Sequence, residues 1–156
     1  LAQARLMAQA CLAWSAKPME VTPRRVVYWE PESDSPTHWL GAAFVAALRK
    51  AGVVVEAYDG NSVSKEAILV MGSFLSPRAY LGRIAYEREM LGGIRRLLAQ
   101  TKRSIVVSFG SPFVFDALGV EGLCTFSRGS AAQEAAADAL AGKSAVTGRM
   151  PVARRS

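Results

Sequence analysis

Three acidic side chains crowd one short stretch of this 156-residue chain, Glu30, Glu32 and Asp34. A pair of carboxylates can cleave a glycosidic bond, one protonating the leaving oxygen while the other attacks or activates water. Asp and Glu are also common where a solvated loop shapes a pocket or caps a following helix, and the stretch reads first as such a loop. His38 is the sole histidine. It has no Cys or Ser nucleophile at a recognised spacing and reads as a surface or rim residue. Cys11 and Cys124 have neither a CxxC spacing nor a histidine cluster, which argues against a structural zinc site and against a disulfide scaffold. No GxGxxG follows the first apolar run and no GxxxxGK[ST] occurs, so no cofactor or nucleotide site is expected. Gly72-Ser73 and Gly110-Ser111-Pro112 close two apolar runs. Loops at such places contact ligands in open α/β sheets, although glycine there also simply permits a sharp turn.

The elements that would position these residues are legible from hydrophobic runs. Residues 53–58, 67–71 and 104–109 are continuous apolar, β-rich stretches, and 26–29 and 123–126 resemble them. Continuous rather than alternating hydrophobicity means that both faces are covered, as in a parallel sheet between helices. The fold class predicted is α/β: a three-layer αβα sandwich with a mostly parallel sheet of five or six strands, flavodoxin-like. Ser35-Pro36 has the form of an N-cap with proline at the first helical position, Leu40, Phe44, Ala47 and Leu48 follow at helical spacing, and Gly52 closes the helix. A second helix is predicted over 83–100, with Gly92-Gly93 explained by a kink or close packing. A third starts at Ser130-Ala131-Ala132-Gln133, a capping-box pattern, and runs to Gly142. Residues 59–66 are too few for an ordinary crossover, so that strand pair is antiparallel or its helix vestigial. Residues 112–122 hold a short helical turn at 113–118.

With 51% hydrophobic and 21% charged residues the chain suits one globular domain and not a disordered one. Its predicted parts are an N-terminal helix and linker-like lead-in (1–22), a sheet core (23–142) and a C-terminal tail (143–156). The net charge of +6 is scattered as short Arg pairs without interleaved aromatics, which argues against nucleic acid as a partner. No run approaches the roughly 18 apolar residues a bilayer span needs, so no membrane partner is expected. Residues 1–16 read as a surface helix rather than a signal peptide because Arg5 interrupts the apolar stretch.

The C-terminal third resembles the second domain of family 3 glycoside hydrolases, the β-glucosidase and β-N-acetylhexosaminidase group. Ser104 to Phe113 is similar to the family's strand and following Gly-x-Pro-Tyr-like turn. Ser130 to Ala136 is similar to the helix after its last core strand, and Ala139-Leu140-Ala141-Gly142 leads into Gly148-Arg149-Met150-Pro151-Val152, similar to its Gly-Arg-Leu-Pro-Val ending.

The resemblance implies an α/β sandwich domain that follows a TIM-barrel domain in the same polypeptide, its partner, with the aspartate nucleophile on the barrel. In β-glucosidase-like members a glutamate in the loop after the strand corresponding to 67–71 supplies the acid. Here that loop, Gly72 to Gly82, has no carboxylate. This departure fits the N-acetylglucosaminidase-like branch, whose acid/base is a barrel histidine, and no catalytic residue is expected in this chain. The resemblance further implies that the loops after the parallel strands wall a sugar pocket, with Ser73, Arg78, Ser111 and Arg128 as candidate contacts to the carbohydrate. Both arginines also read as plain surface charges. The competing expectation is a stand-alone carbohydrate- or ligand-binding α/β module without catalysis.

Overall fold

The computed structural model describes residues 2–15, 21, 25–33, 35–61, 63–64, 66–75, 86–146 and 148. In chain order they form α1 (Ala2–Cys11), β1 (Ala13–Trp14), β2 (Arg25–Trp29), α2 (Ala42–Lys50), β3 (Val54–Ala57), β4 (Ile68–Ser73), α3 (Arg88–Gln100), β5 (Ser104–Ser108), α4 (Val114–Leu118), β6 (Gly122–Cys124) and α5 (Ser130–Leu140). The strands make one sheet in the order β1-β6-β5-β4-β2-β3. All pairings are parallel except β1 with β6.

Side chains alternate across a strand, so each continuous apolar run feeds two cores. Val26, Tyr28, Ile68, Val70, Ile105, Val107 and Leu123 meet Phe44 and Leu48 of α2 and the alanine face of α5. On the opposite face Leu69, Met71, Val106 and Cys124 meet Ile94 and Leu98 of α3 and Phe115 and Leu118 of α4. This is the expected three-layer sandwich with six strands. Among the described residues, no helix is long and apolar enough to cross a membrane.

Several local expectations change. Ser35 does cap, accepting from the Thr37 backbone N–H, but the element it starts is a 3-10 turn at Pro36–His38. The α-helix begins only at Ala42, because the backbone N–H groups of Leu40 and Gly41 are taken by the Glu30 carboxylate. Between β3 and β4 the chain is not antiparallel, and among the described residues it keeps no helix, in line with the vestigial alternative. Both strands flank β2 in parallel, so the connection passes over β2. A side chain at Gly92 or Gly93 would touch nothing within 4 Å, so close packing is not the reason for that pair. Ser130 is not the cap of α5; Gly129 is, and Gln133 turns inward instead. The helix read over 1–16 ends at Cys11, and strand β1 adds Ala13–Trp14 to the edge of the sheet.

The order places β3 on one side of β2 and β4 on the other. The chain therefore reverses its direction of winding between β2 and β4, and in open α/β sheets a crevice opens at the carboxyl ends of such a strand pair.

Candidate functional site at the carboxyl edge of the sheet

Two carboxylates leave the end of β2 for that crevice and meet different surroundings. Glu30 is buried and saturated. Its Oε2 accepts from the Tyr28 hydroxyl at 2.7 Å and the Gly41 backbone N–H at 2.8 Å, and its Oε1 accepts from the Leu40 N–H at 2.8 Å. The acidic loop thus caps the approach to the next helix, one of the roles read from its composition. Tyr28 reaches Glu30 only because two neighbours lack side chains. A Cβ would stand 2.2 Å from the Tyr28 Oη at Gly72 and 2.3 Å from it at Gly41. Gly72 lies inside β4 rather than in a sharp turn, and its missing side chain leaves room for a phenol. Burial together with the neighbouring Glu30 charge raises the Tyr28 pKa, which keeps its proton on the donor side of that bond.

Glu32 ties two distant pieces of chain together. Its Oε1 accepts from the backbone N–H of Phe74 at 3.3 Å, just past β4, and from the Tyr86 hydroxyl at 2.7 Å, just before α3. One oxygen thus holds both stems of the connection between β4 and α3. The Tyr86 oxygen also lies 2.8 Å from Ser73 Oγ. Glu32 Oε2, by contrast, is buried and has no hydrogen-bond partner among the described residues. Burial raises the Glu32 pKa, the bonds from Tyr86 and Phe74 oppose the rise, and the Glu30 charge adds to it. Tyr86 is pushed up for matching reasons, burial first and the Glu32 charge second.

The four candidate sugar contacts fall in different places. Ser73 is fully buried and its hydroxyl is engaged with Tyr86. Ser111 is also buried: its Oγ accepts from the Phe113 N–H at 3.2 Å, its N–H donates to the Leu75 carbonyl, and its carbonyl accepts from Ser108 Oγ at 2.7 Å. Both serines brace the loops rather than face outward. Arg128 is exposed, with its guanidinium 5.5 Å above the Phe74 ring, which itself stacks on Phe109 at 4.7 Å. Such a cation–π seat orients the fork without using its donors. Arg78 and Asp34 lie outside the described residues. His38 is at the surface, its Nδ1 3.1 Å from Thr37 Oγ1.

No site role was read from the sequence for Gln133, marked there only as part of a capping box, or for Phe126, the end of an apolar run. Gln133 is buried in α5; its Oε1 accepts from the Phe44 N–H, and its Nε2 donates to the carbonyls of Leu40 and Arg128. It joins the start of α2 to the loop that carries Arg128. Phe126, in that same loop, is a non-glycine residue at a φ of 56° and is partly exposed, a strained conformation of the kind that clusters at functional loops. Among the described residues no group of three or more His, Cys, Asp or Glu side chains is placed to hold a metal ion.

No protein-family model matches the chain, and no curated protein matches it in sequence. Solved structures do match in fold. The β-glucoside phosphorylase BglX superposes with a TM-score of 0.67 at 11% identity, covering 91% of this chain and 29% of BglX. A glycoside hydrolase family 3 β-N-acetylglucosaminidase from Paenibacillus sp. str. FPU-7 gives 0.60 at 17% identity, covering 91% and 30%. A fungal multi-domain GH3 β-N-acetylglucosaminidase gives 0.58 at 14%, covering 88% and 17%. At these identities the likeness is one of fold. The chain spans less than a third of the length of each of these proteins.

Proposed function

We propose that this chain is the accessory α/β sandwich domain of a family 3 glycoside hydrolase. In this reading it walls the sugar pocket of a TIM-barrel catalytic domain in the same polypeptide and supplies neither nucleophile nor acid/base. The observation that carries the reading is the coverage: nearly the whole chain matches a minor part of much longer glycoside-active proteins. The crevice agrees with it, since Glu30 has both oxygens engaged in the fold and Glu32 clamps loop stems. Arg128, exposed on its aromatic seat, is the candidate contact to substrate or catalytic domain, with Ser73 and Ser111 behind it; Arg78 is kept as a second candidate on sequence grounds.

The β-N-acetylhexosaminidase-like branch is favoured over the β-glucosidase-like one because the segment Gly72 to Gly82 contains no carboxylate. Two of the similar structures are β-N-acetylglucosaminidases.

The test compares the 156-residue chain with the whole polypeptide its gene encodes. Aryl N-acetylglucosaminides and aryl glucosides are offered with and without inorganic phosphate, because one similar structure is a phosphorylase. The expected result is no turnover by the chain alone and preferential release from the N-acetylglucosaminide by the whole polypeptide. Hydrolysis by the chain alone, or a reading frame with no barrel, overturns the proposal.

A further inference from the structure

Helix α3 carries a face that its own chain does not cover. Ile94 and Leu98 are buried in the core beneath it, with Leu91 and Leu97 partly buried beside them. Residues three, four and seven apart share a helix face, so Glu89, Gly92 and Arg96 form one line along the side turned away from that core, with Gly93 next to it. Glu89, Arg96 and Ala99 are exposed, and a side chain placed at Gly92 or Gly93 would meet nothing within 4 Å.

Two adjacent glycines in the middle of a 13-residue helix oppose its formation, since glycine is the poorest helix former after proline. Neither has a positive φ, so the backbone conformation does not call for glycine here, and no packing within the chain does either. What a bare helix surface permits is the close approach of another backbone. The charges on each side of it identify that backbone. Glu89 lies three residues before Gly92, and Arg96 three residues after Gly93. When a second α3 crosses this one antiparallel, glycine pair on glycine pair, Glu89 of either copy falls beside Arg96 of the other. A parallel crossing would set Glu89 against Glu89 and Arg96 against Arg96. The neighbouring Arg95 donates to the Ala117 carbonyl of α4 and leaves the line clear.

We propose that the outer face of α3 is a self-association surface, at which two copies of the chain meet as antiparallel helices on Gly92-Gly93 with reciprocal Glu89–Arg96 pairs. Such a contact uses the same patch on both partners, so it closes at a dimer. Exposed ion pairs add little affinity, and here they fix direction. Helices of this length, about 20 Å, fall short of the roughly 1,200 Å² that a stable interface buries. The dimer is therefore weak, with a Kd of roughly 1 µM to 1 mM. The inference does not rest on the glycosidase-domain reading.

Sedimentation equilibrium of the 156-residue chain, and of the whole polypeptide its gene encodes, at concentrations up to about 1 mM tests it. The expected result is a reversible dimer of each. Glu89→Arg and Arg96→Glu, both at exposed positions, are each expected to weaken the dimer by at least about tenfold through like-charge contact. The double variant Glu89→Arg/Arg96→Glu is expected to restore it, which a merely structural role would not do. Gly92→Ala/Gly93→Ala is expected to raise the melting temperature of the monomer, alanine being the better helix former, while weakening the dimer. A chain that stays monomeric throughout, single reversals without effect, a double reversal no better than the singles, or a double alanine that leaves dimerisation unchanged overturns the inference. So does a whole polypeptide that stays monomeric while the chain dimerises, since another part of that polypeptide would then be what covers α3.

Discussion

The crevice between β2 and β4 and the cleft between β2 and β3 open along the same sheet edge, on opposite sides of one strand. In the crevice nearly every polar group is engaged by the chain itself: Glu30 by three donors, Ser73 by Tyr86, Ser111 by its own loop. In the cleft lined by Trp29, Trp39, Tyr58 and Asp59, the aromatic side chains are only partly buried and Asp59 is exposed, its Oδ1 accepting from the Asn61 N–H. Sequence polarity at a sheet edge is therefore a poor guide to recognition. What matters is whether the fold has already satisfied the group, because a buried polar atom without a partner is costly and an exposed one is not.

Substitutions that disturb the crevice should be felt in stability. The largest effect is expected from Glu30→Leu, which strands the Tyr28 hydroxyl and the Leu40 and Gly41 N–H groups. A loss of at least about 3 kcal/mol is predicted in urea unfolding, near 1 kcal/mol for each orphaned donor. An effect below about 1 kcal/mol would mean that water replaces the carboxylate and that the crevice is not dry. Next comes Gln133→Leu, predicted to cost roughly 2 kcal/mol, since the Phe44 N–H and two carbonyls lose their partner.

Glu32→Gln should act in the opposite direction, and its pH dependence sharpens the contrast. The folded-state pKa of Glu32 lies above that of an ordinary glutamate, so between the two values the native state holds more protons than the unfolded one. Stability from this group is present below the ordinary value and is lost as pH rises through the folded one. The glutamine variant is therefore expected to be the more stable protein above that window, by less than about 1 kcal/mol because Oε1 keeps its two donors, and to lose its advantage below it. Melting temperatures across pH check the sign; a variant less stable at neutral pH would show that Glu32 has a favourable partner after all.

The smallest effect concerns reactivity. Cys124, buried at the end of β6 with its thiol pushed up to about 11, should resist a thiol reagent at neutral pH while exposed Cys11 reacts. Equal labelling rates in the folded protein would show that this edge opens freely to water.

The sandwich was legible because burial on both faces of a parallel strand demands an unbroken apolar run, and such runs stand out at 67–71 and 104–109. The helix over 42–50 was legible from its period, but its start was not. Ser35-Pro36 carries a true cap signal, yet Glu30, ten residues before Leu40, takes the N–H groups that would continue the turn. Likewise Gln133 has the right spacing for a capping box and a better use inside the protein. Ser73, Ser111 and Arg128 were marked by their place after strands, and the structure separates them into two braces and one outward cation.

Sequence by itself determined the layers, the parallel strands and the absence of a nucleotide fingerprint, because these depend on local runs and spacings. Only the tertiary structure decided which polar groups were left over. Tyr28 reaches Glu30 past glycines at 41 and 72, and Glu32 meets Tyr86 across 54 residues of chain. Hydrogen-bond satisfaction is set by what packs alongside a group in space, and no local pattern encodes that.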